Sequence, residues 1–182
     1  MTNLPDKQIL DLLANDHTQE RGFRLLVQKY SERLYWHIRR MVTEHEDAND
    51  VMQNCFIKVF RNIHRFEGKS ELFTWLYRIA TNEAITFLNK RKKRQMSALD
   101  DVDSNIYNQL KADSYFDGDK AQTLLHAAIA QLPEKQKAVF VMRYFDEMSY
   151  KEMAEVMQTS VGGLKASFHH AVKKIEASLK VE

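Results

Sequence analysis

The sequence predicts an all-α protein, and three observations support this prediction. The 182 residues include only 5 Gly and 2 Pro, whereas average proteins contain roughly 7% and 5% of these residues. Sheets joined by tight turns need Gly and Pro, so their scarcity favours long helices with short connections. Good helix formers such as Leu, Ala, Lys, Glu, Gln and Met are plentiful. Apolar residues also recur every three or four positions in both halves of the chain, which is the spacing of amphipathic helices.

Charge divides the chain into three parts. Residues 1–98 hold 17 Lys and Arg against 12 Asp and Glu, residues 99–120 hold 2 against 6, and residues 121–182 hold 8 against 7. We therefore expect two small helical domains, at 1–96 and 121–182, joined by a flexible acidic linker at 97–120 that lacks a sustained apolar period. A basic N-terminal half is the usual mark of a polyanionic partner.

The N-terminal part is expected to contain four helices. A short helix should follow Pro5, which is tolerated at a first helical position. The apolar spacing from Phe23 to Met41 predicts one long helix. A third helix should bury one stripe of apolar residues: Ala48, Val51, Met52, Cys55, Phe56, Val59, Phe60 and Ile63. A fourth should begin at Ser70, a favourable N-cap residue, and run out into the basic segment 90–94.

The C-terminal part carries a sharper motif. We expect helices over 121–131 and from Pro133 to about Tyr144, and then a capping box in which Ser149 and Glu152 open a further helix. A turn at 158–160 should precede a last helix that runs from Val161 to about Leu179. Two short helices around a polar turn form a helix-turn-helix, whose second helix can enter the major groove of DNA. An ordinary antiparallel helix pair has a similar periodicity, so this pattern alone leaves both interpretations open.

Several functional classes are disfavoured by what the sequence lacks. The single cysteine, Cys55, cannot form an internal disulfide or a Cys-rich zinc site. No apolar run approaches the roughly 18 residues of a membrane span and no signal peptide is evident, so we expect a cytoplasmic protein without direct membrane insertion. Nucleotide-binding loops, zinc-protease motifs and Ser/His/Asp patterns are missing, so we expect no enzyme and no cofactor. His169 and His170 have no partners at ligand spacing, so no metal is expected.

Motifs in both halves resemble those of bacterial extracytoplasmic-function sigma factors, group IV of the sigma-70 family. They are Asp47-Ala48-x-Asp50-x-x-Gln53-x-x-Phe56, Phe66-x-Gly68-x-Ser70, Thr74-Trp75-Leu76-Tyr77-Arg78-Ile79-Ala80-x-Asn82, Leu132-Pro133-Glu134 and Ser149-Tyr150-x-Glu152-x-Ala154. The resemblance covers about residues 20–94 and 121–180. It implies a promoter-specificity subunit of RNA polymerase, in which region 2 binds and helps open the minus-10 element and region 4 binds the minus-35 element.

The resemblance implies a polymerase-binding surface on the third helix. Its residues are Asp47, Asp50, Gln53 and Asn54, which would contact the clamp helices of the largest subunit. The second domain would bind the flap of the second-largest subunit. Asn54 replaces the carboxylate that is usual in the broader family, so one charged contact is missing. By residue pattern alone, a solvated polar face is the competing interpretation.

The resemblance also implies a minus-10 surface around the loop and the fourth helix. Its candidate residues are Phe66, Gly68, Lys69, Ser70, Tyr77, Arg78, Asn82, Lys90, Arg91 and Arg94. Tyr77 and Arg78 are expected to contact DNA because both lie off the main apolar stripe. Trp75 has a core spacing, so it either packs inside the domain or stacks on a base. The basic run over 90–94 either binds phosphate or is a solvated helix end.

The last helix departs from the family pattern. Its candidate minus-35 contacts are Lys165, Ser167, His169 and His170, with Lys173 and Lys174 on phosphate. Relatives commonly carry more permanent cations here, and arginine makes bidentate bonds to guanine that serine cannot copy. We expect either weak minus-35 readout, compensated by the minus-10 loop or a recruiting factor, or readout of a different sequence. An anti-sigma factor is a further partner that the resemblance implies, and a stand-alone helix-turn-helix regulator is the rival function.

Overall fold

A computed structural model describes residues 4–98 and 120–180, and every regular element within these ranges is helical. The elements are α1 Asp6–Leu13, α2 Gln19–Val42, α3 His45–Asn62, a 3-10 turn Ile63–Arg65, α4 Leu72–Ala98, α5 Lys120–Ala130, α6 Glu134–Tyr144, α7 Tyr150–Met157 and α8 Val161–Leu179. The predicted all-α fold is confirmed. Of the predicted linker, residues 97 and 98 belong to α4 and residue 120 to α5, whereas 99–119 lie outside the described residues.

The N-terminal domain, α1 to α4, is built around the long helix α2. This helix contacts α1, α3 and α4, and Leu26, Leu34 and Ile38 on its apolar stripe are fully buried. Helix α1 docks through Asp6, whose Oδ1 lies 2.6 Å from both the Lys29 ammonium and the Tyr30 hydroxyl. Apolar burial and this hydrogen-bonded carboxylate together fix α1 against α2.

The C-terminal domain, α5 to α8, has its helices limited by caps that the sequence announces. The Ser149 Oγ accepts a hydrogen bond from the Glu152 backbone N–H at 3.3 Å, and the Glu152 carboxylate accepts one from the Ser149 N–H at 2.7 Å. This reciprocal pair is the predicted capping box. Gln158 ends α7 in the left-handed conformation, and Ser160 caps α8 by accepting from the Gly163 N–H at 3.2 Å. The helix-turn-helix therefore has the boundaries expected from the sequence.

Four local predictions differ from the structure. Pro5 occupies the N-cap of α1 instead of its first turn. Helix α4 begins at Leu72, so Ser70 precedes it by two residues, and Trp75 donates its backbone N–H to the Glu71 carbonyl. Phe60, expected in the buried stripe of α3, is 43% exposed. Tyr77, expected off the buried face of α4, is completely buried, because the second domain covers it.

The two domains contact each other directly. Helices α2 and α4 of the first domain lie against α6 and α7 of the second. No helix in residues 4–98 and 120–180 is both long and apolar enough to cross a bilayer.

Candidate polymerase and nucleic-acid interfaces

One face of α3 is exposed and combines polar with apolar groups. Asp50, Gln53 and Asn54 are all solvent-exposed, and their spacing places them on one side of the helix. Ile57 and Phe60 continue this side and are 42% and 43% exposed. A surface that offers a carboxylate, amides and large apolar groups is suited to docking a protein. Ile57 was missed in the sequence, although its position four residues after Gln53 could have indicated it.

Asp47 belongs to a different environment from the rest of that face. The Arg91 guanidinium donates to the Asp47 and Glu44 carboxylates, at 2.8 Å each. Burial and the nearby Glu44 carboxylate raise the pKa of Asp47, and Arg91 opposes this effect. The structure thus pairs a candidate polymerase residue with a candidate DNA residue, and the pair ties the end of α4 to the start of α3.

The loop before α4 presents its backbone to solvent. Gly68 has a φ of +69°, with nothing within 4 Å of where a Cβ would lie, so glycine is required by conformation and not by crowding. Lys69 is exposed and forms an ion pair with Glu67. Phe66 is half-buried and packs on Trp75, with ring centres 5.5 Å apart. The loop is therefore anchored by aromatic packing and free to meet a ligand at its tip.

A cleft of about 330 Å³ lies between α3 and α4 beside this loop. It is lined by Lys58, Asn62, Arg65, Trp75, Ile79, Asn82 and Glu83. An aromatic ring, two amides and two or three cations in one recess can stack a base, hydrogen-bond its edge and hold its phosphate. Of these residues only Asn82 was among the candidates from the sequence. The others on α3 were missed because their contribution depends on how α3 packs against α4.

Two further candidates on α4, Tyr77 and Arg78, face the second domain. Tyr77 is completely buried, and burial raises the pKa of its hydroxyl. Arg78 donates a hydrogen bond from Nη2 to the Glu155 backbone carbonyl at 2.8 Å. In this conformation neither side chain is available to DNA.

The end of α4 is strongly basic and accessible. Lys90, Lys92, Lys93 and Arg94 are exposed, whereas Arg91 is half-buried in its bridge to α3. Exposed cations in such a run attract nucleic-acid phosphates at long range.

Helix α8 exposes most of the candidate minus-35 contacts. Lys165, His169, His170, Lys173 and Lys174 are exposed, and Ser167 is half-buried. The helix is held from behind by buried Leu164, Ala171 and Ile175. Lys165 Nζ lies 5.8 Å from the centre of the Tyr150 ring, which restrains it towards the preceding helix. Within residues 4–98 and 120–180, no group of three or more His, Cys, Asp or Glu side chains is arranged to hold a metal ion.

Family comparisons match both domains. Residues 26–94 match the family described as Sigma-70 region 2, and residues 122–175 match Sigma-70, region 4. The RNA polymerase sigma-H factor of Pseudomonas aeruginosa is 31% identical over 195 aligned positions, covering 99% of this chain and 96% of that protein. The ECF RNA polymerase sigma factor SigW of Bacillus subtilis is 30% identical, over 87% of this chain and 89% of its own length.

Solved structures show the same fold. CnrH in complex with the cytosolic domain of CnrY has a TM-score of 0.69 at 19% identity, covering 97% of this chain and 98% of that chain. The sigma factor RpoE of Bartonella quintana, in complex with the anti-sigma factor NepR, has a TM-score of 0.65 at 20% identity, covering 89% and 99%. Two sigma-70 regions in order, with identity to a sigma factor over nearly the whole chain, show that the protein belongs to the sigma-70 family as an extracytoplasmic-function sigma factor, a subunit that directs RNA polymerase to promoters.

Proposed function

We propose that three separate surfaces of this sigma factor carry its function. The exposed face of α3 docks the clamp helices of the polymerase largest subunit, the cleft between α3 and α4 receives an unpaired minus-10 base, and α8 reads the minus-35 element. The observation that supports this assignment most strongly is the cleft, which joins Trp75 and Asn82 to cations beside the basic end of α4.

Strand opening in this scheme is driven by binding energy. Stacking a base on an aromatic side chain contributes about 1–3 kcal/mol, which offsets the few kcal/mol needed to unstack and unpair a base. Lys58 and Glu83 form an ion pair across the cleft, and a phosphate could replace the Glu83 carboxylate as partner of Lys58. The protein itself supplies no bond-making chemistry, since polymerisation belongs to the core enzyme.

The α3 face supports the polymerase contact because its apolar part has no other role. Ile57 and Phe60 expose large side chains beside Asp50 and Gln53, and exposed apolar groups rimmed by polar ones mark protein-binding surfaces. A stand-alone regulator that binds only DNA would not need this face. We also propose an anti-sigma partner, because both solved relatives named above are complexes and RpoE is bound to an anti-sigma factor.

Run-off transcription with added core polymerase tests the function. The double substitution Asp50→Ala/Gln53→Ala should weaken core binding at least several-fold and reduce promoter-specific RNA, while helicity and the midpoint of thermal unfolding stay nearly unchanged, because both side chains are exposed. Glu20→Ala/Arg24→Ala, which removes an exposed ion pair on α2, is the matched control. Unchanged core affinity of the α3 variant would remove this face from the assignment, and no RNA from the wild type would remove the function.

A further inference from the structure

The second domain covers one face of the helix that is assigned to the minus-10 element. Thr74, Tyr77, Arg78 and Thr81 follow one another at helical spacing along this face of α4. Thr74, Tyr77 and Thr81 are at most 2% exposed, and α4 contacts both α6 and α7. In the described conformation this face is sealed by the domain that belongs to the minus-35 element.

A buried hydrogen-bonded chain crosses the contact. Asp146 lies between α6 and α7, and its side chain is only 3% exposed. Its Oδ2 is 2.7 Å from Nδ1 of His37 on α2, and Nε2 of the same ring is 2.9 Å from the Thr81 hydroxyl on α4. The Arg40 guanidinium also approaches Asp146, at 3.4 Å. One carboxylate of the C-terminal domain is thereby bonded to two helices of the N-terminal domain.

The segment that presents Asp146 is shaped for this position. The Asp146 and Met148 backbone N–H groups donate back to the carbonyls of Val141 and Met142, at 3.1 and 3.0 Å. Glu147 adopts a positive φ of 55°, which is strained for a residue with a side chain. The turn therefore aims the carboxylate at α2, instead of leaving it on a loose loop.

A second link involves Arg78 but leaves it incompletely paired. Its Nη2 donates to the Glu155 carbonyl at 2.8 Å, whereas its buried Nε has no hydrogen-bond partner among the described residues. A buried unpaired donor disfavours the state that contains it. The closed contact is thus held by the Asp146 chain and opposed at Arg78, as expected of a contact that must open.

The length of a promoter requires the domains to separate. Element centres about 25 base pairs apart lie about 85 Å apart along B-form DNA. A compact chain of this length has a radius of gyration of about 16 Å, so the closed form cannot reach both elements. The 21 residues from 99 to 119 can bridge at most roughly 70 Å when fully extended, which is enough for open domains to bind both.

We propose that the free sigma factor inhibits itself by closing, with the His37–Asp146 pair as the latch that keeps the α4 face under the C-terminal domain. Core polymerase and promoter DNA would then bind the opened form. This proposal rests on the function assigned to α4, but the existence of the latch does not.

Small-angle X-ray scattering of the free full-length chain tests the latch without polymerase or DNA. The wild type should have a radius of gyration near the compact value of about 16 Å. Asp146→Lys, which places a cation against Arg40 and His37, should raise it clearly. His37→Glu/Asp146→Lys restores opposite charges and should return it towards the wild-type value. Glu20→Ala, which lies outside the contact, should leave it unchanged.

Binding of a single-stranded minus-10 oligonucleotide to the free protein tests the inhibitory role. Asp146→Lys should bind it several-fold more tightly than the wild type, and the double variant should lose that gain. An extended wild-type chain overturns the proposal whether or not the variants fold, and so does an Asp146→Lys chain that stays compact. Opening without a gain in oligonucleotide binding overturns the inhibitory role alone, whereas failure of run-off transcription would instead concern the function itself.

Discussion

Asn82 is the residue on which the proposed minus-10 pocket can be tested most directly. Its amide lies on the exposed side of α4 and lines the cleft with Trp75. An amide can donate to and accept from a base edge, and loss of one such contact costs about 1–3 kcal/mol. We expect Asn82→Ala to reduce promoter opening roughly 5- to 100-fold, measured by permanganate reactivity of unpaired thymines, without changing core binding.

Asn89 on the same helix provides the control. It is exposed and does not line the cleft, so Asn89→Ala removes an identical group at the wrong position. Equal effects of the two substitutions would assign the loss to general weakening of α4 and not to base recognition.

His126 should make stability depend on pH. Burial, together with the nearby Arg40 and Arg39 guanidinium groups, lowers the pKa of His126 from 6.5 to about 4, and its ring stacks on Phe145 with centres 5.4 Å apart. Between pH 6.5 and 4 the unfolded chain binds a proton that the folded chain refuses. Stability is therefore full above about pH 6.5 and falls as the pH drops towards 4.

The free energy at stake is on the order of 1–2 kcal/mol, once the shift is discounted for partial solvent exposure. Thermal unfolding at pH 7.5 and pH 5 should show a larger loss for the wild type than for His126→Gln, which cannot take up the proton. Identical losses in the two proteins would exclude His126 as the cause.

At the scale of elements, the helix-turn-helix depends on its caps. Helix α7 is only 8 residues long, too short to form without tertiary packing and end contacts. Hydrogen bonds from the Ser149 hydroxyl and backbone N–H lower the pKa of Glu152, so this cap weakens in acid as the carboxylate is protonated. Its cost to the fold can be measured separately from DNA binding, because Ser149 lies outside the candidate minus-35 surface.

We expect Ser149→Ala to destabilise the protein by about 1 kcal/mol, which denaturant unfolding can measure. Ser149→Asp keeps a capping acceptor and should recover most of that loss at neutral pH. If Ser149→Ala is as stable as the wild type, the capping box contributes nothing to this fold.

Local patterns predict these elements well but not every surface. Helix α2, the boundaries of α8 and the capping box followed from apolar spacing and cap chemistry, which act within a few residues. Tyr77 was misplaced because the group that buries it comes from the other domain, and the spacing within α4 carries no record of that neighbour. The cleft was found only in part for a similar reason: Lys58 and Arg65 reach it through the packing of α3 on α4.

At the scale of the whole molecule, the contact between the domains is the feature that sequence could not supply. His37 and Asp146 are 109 residues apart and meet at 2.7 Å, although neither belongs to a recognisable motif. Both are polar side chains in largely apolar surroundings, and each is tolerable there because the other satisfies it. Such a pair can specify one arrangement of the domains without adding much net stability.

The division of labour between the two domains gives the last prediction. On α8, Lys165 is an exposed permanent cation, and Ser167 and His170 stand where relatives commonly carry arginine. Each missing bidentate contact would forfeit about 1–3 kcal/mol of base discrimination. In reconstituted transcription we therefore expect minus-10 substitutions to reduce initiation more than minus-35 substitutions do. The reverse order would show that Lys165 and the two histidines read a different minus-35 sequence at full strength.

A substitution in α8 tests the same division from the protein side. His170→Arg restores a permanent cation at an exposed position, so it should tighten DNA binding at low salt. Each added phosphate contact steepens the dependence of log affinity on log salt concentration by about 0.9. Lys180→Arg, which keeps both charge and exposure near the end of the domain, should change neither quantity. If His170→Arg brings no gain at low salt, this side of α8 does not face DNA, and a protein partner becomes its ligand.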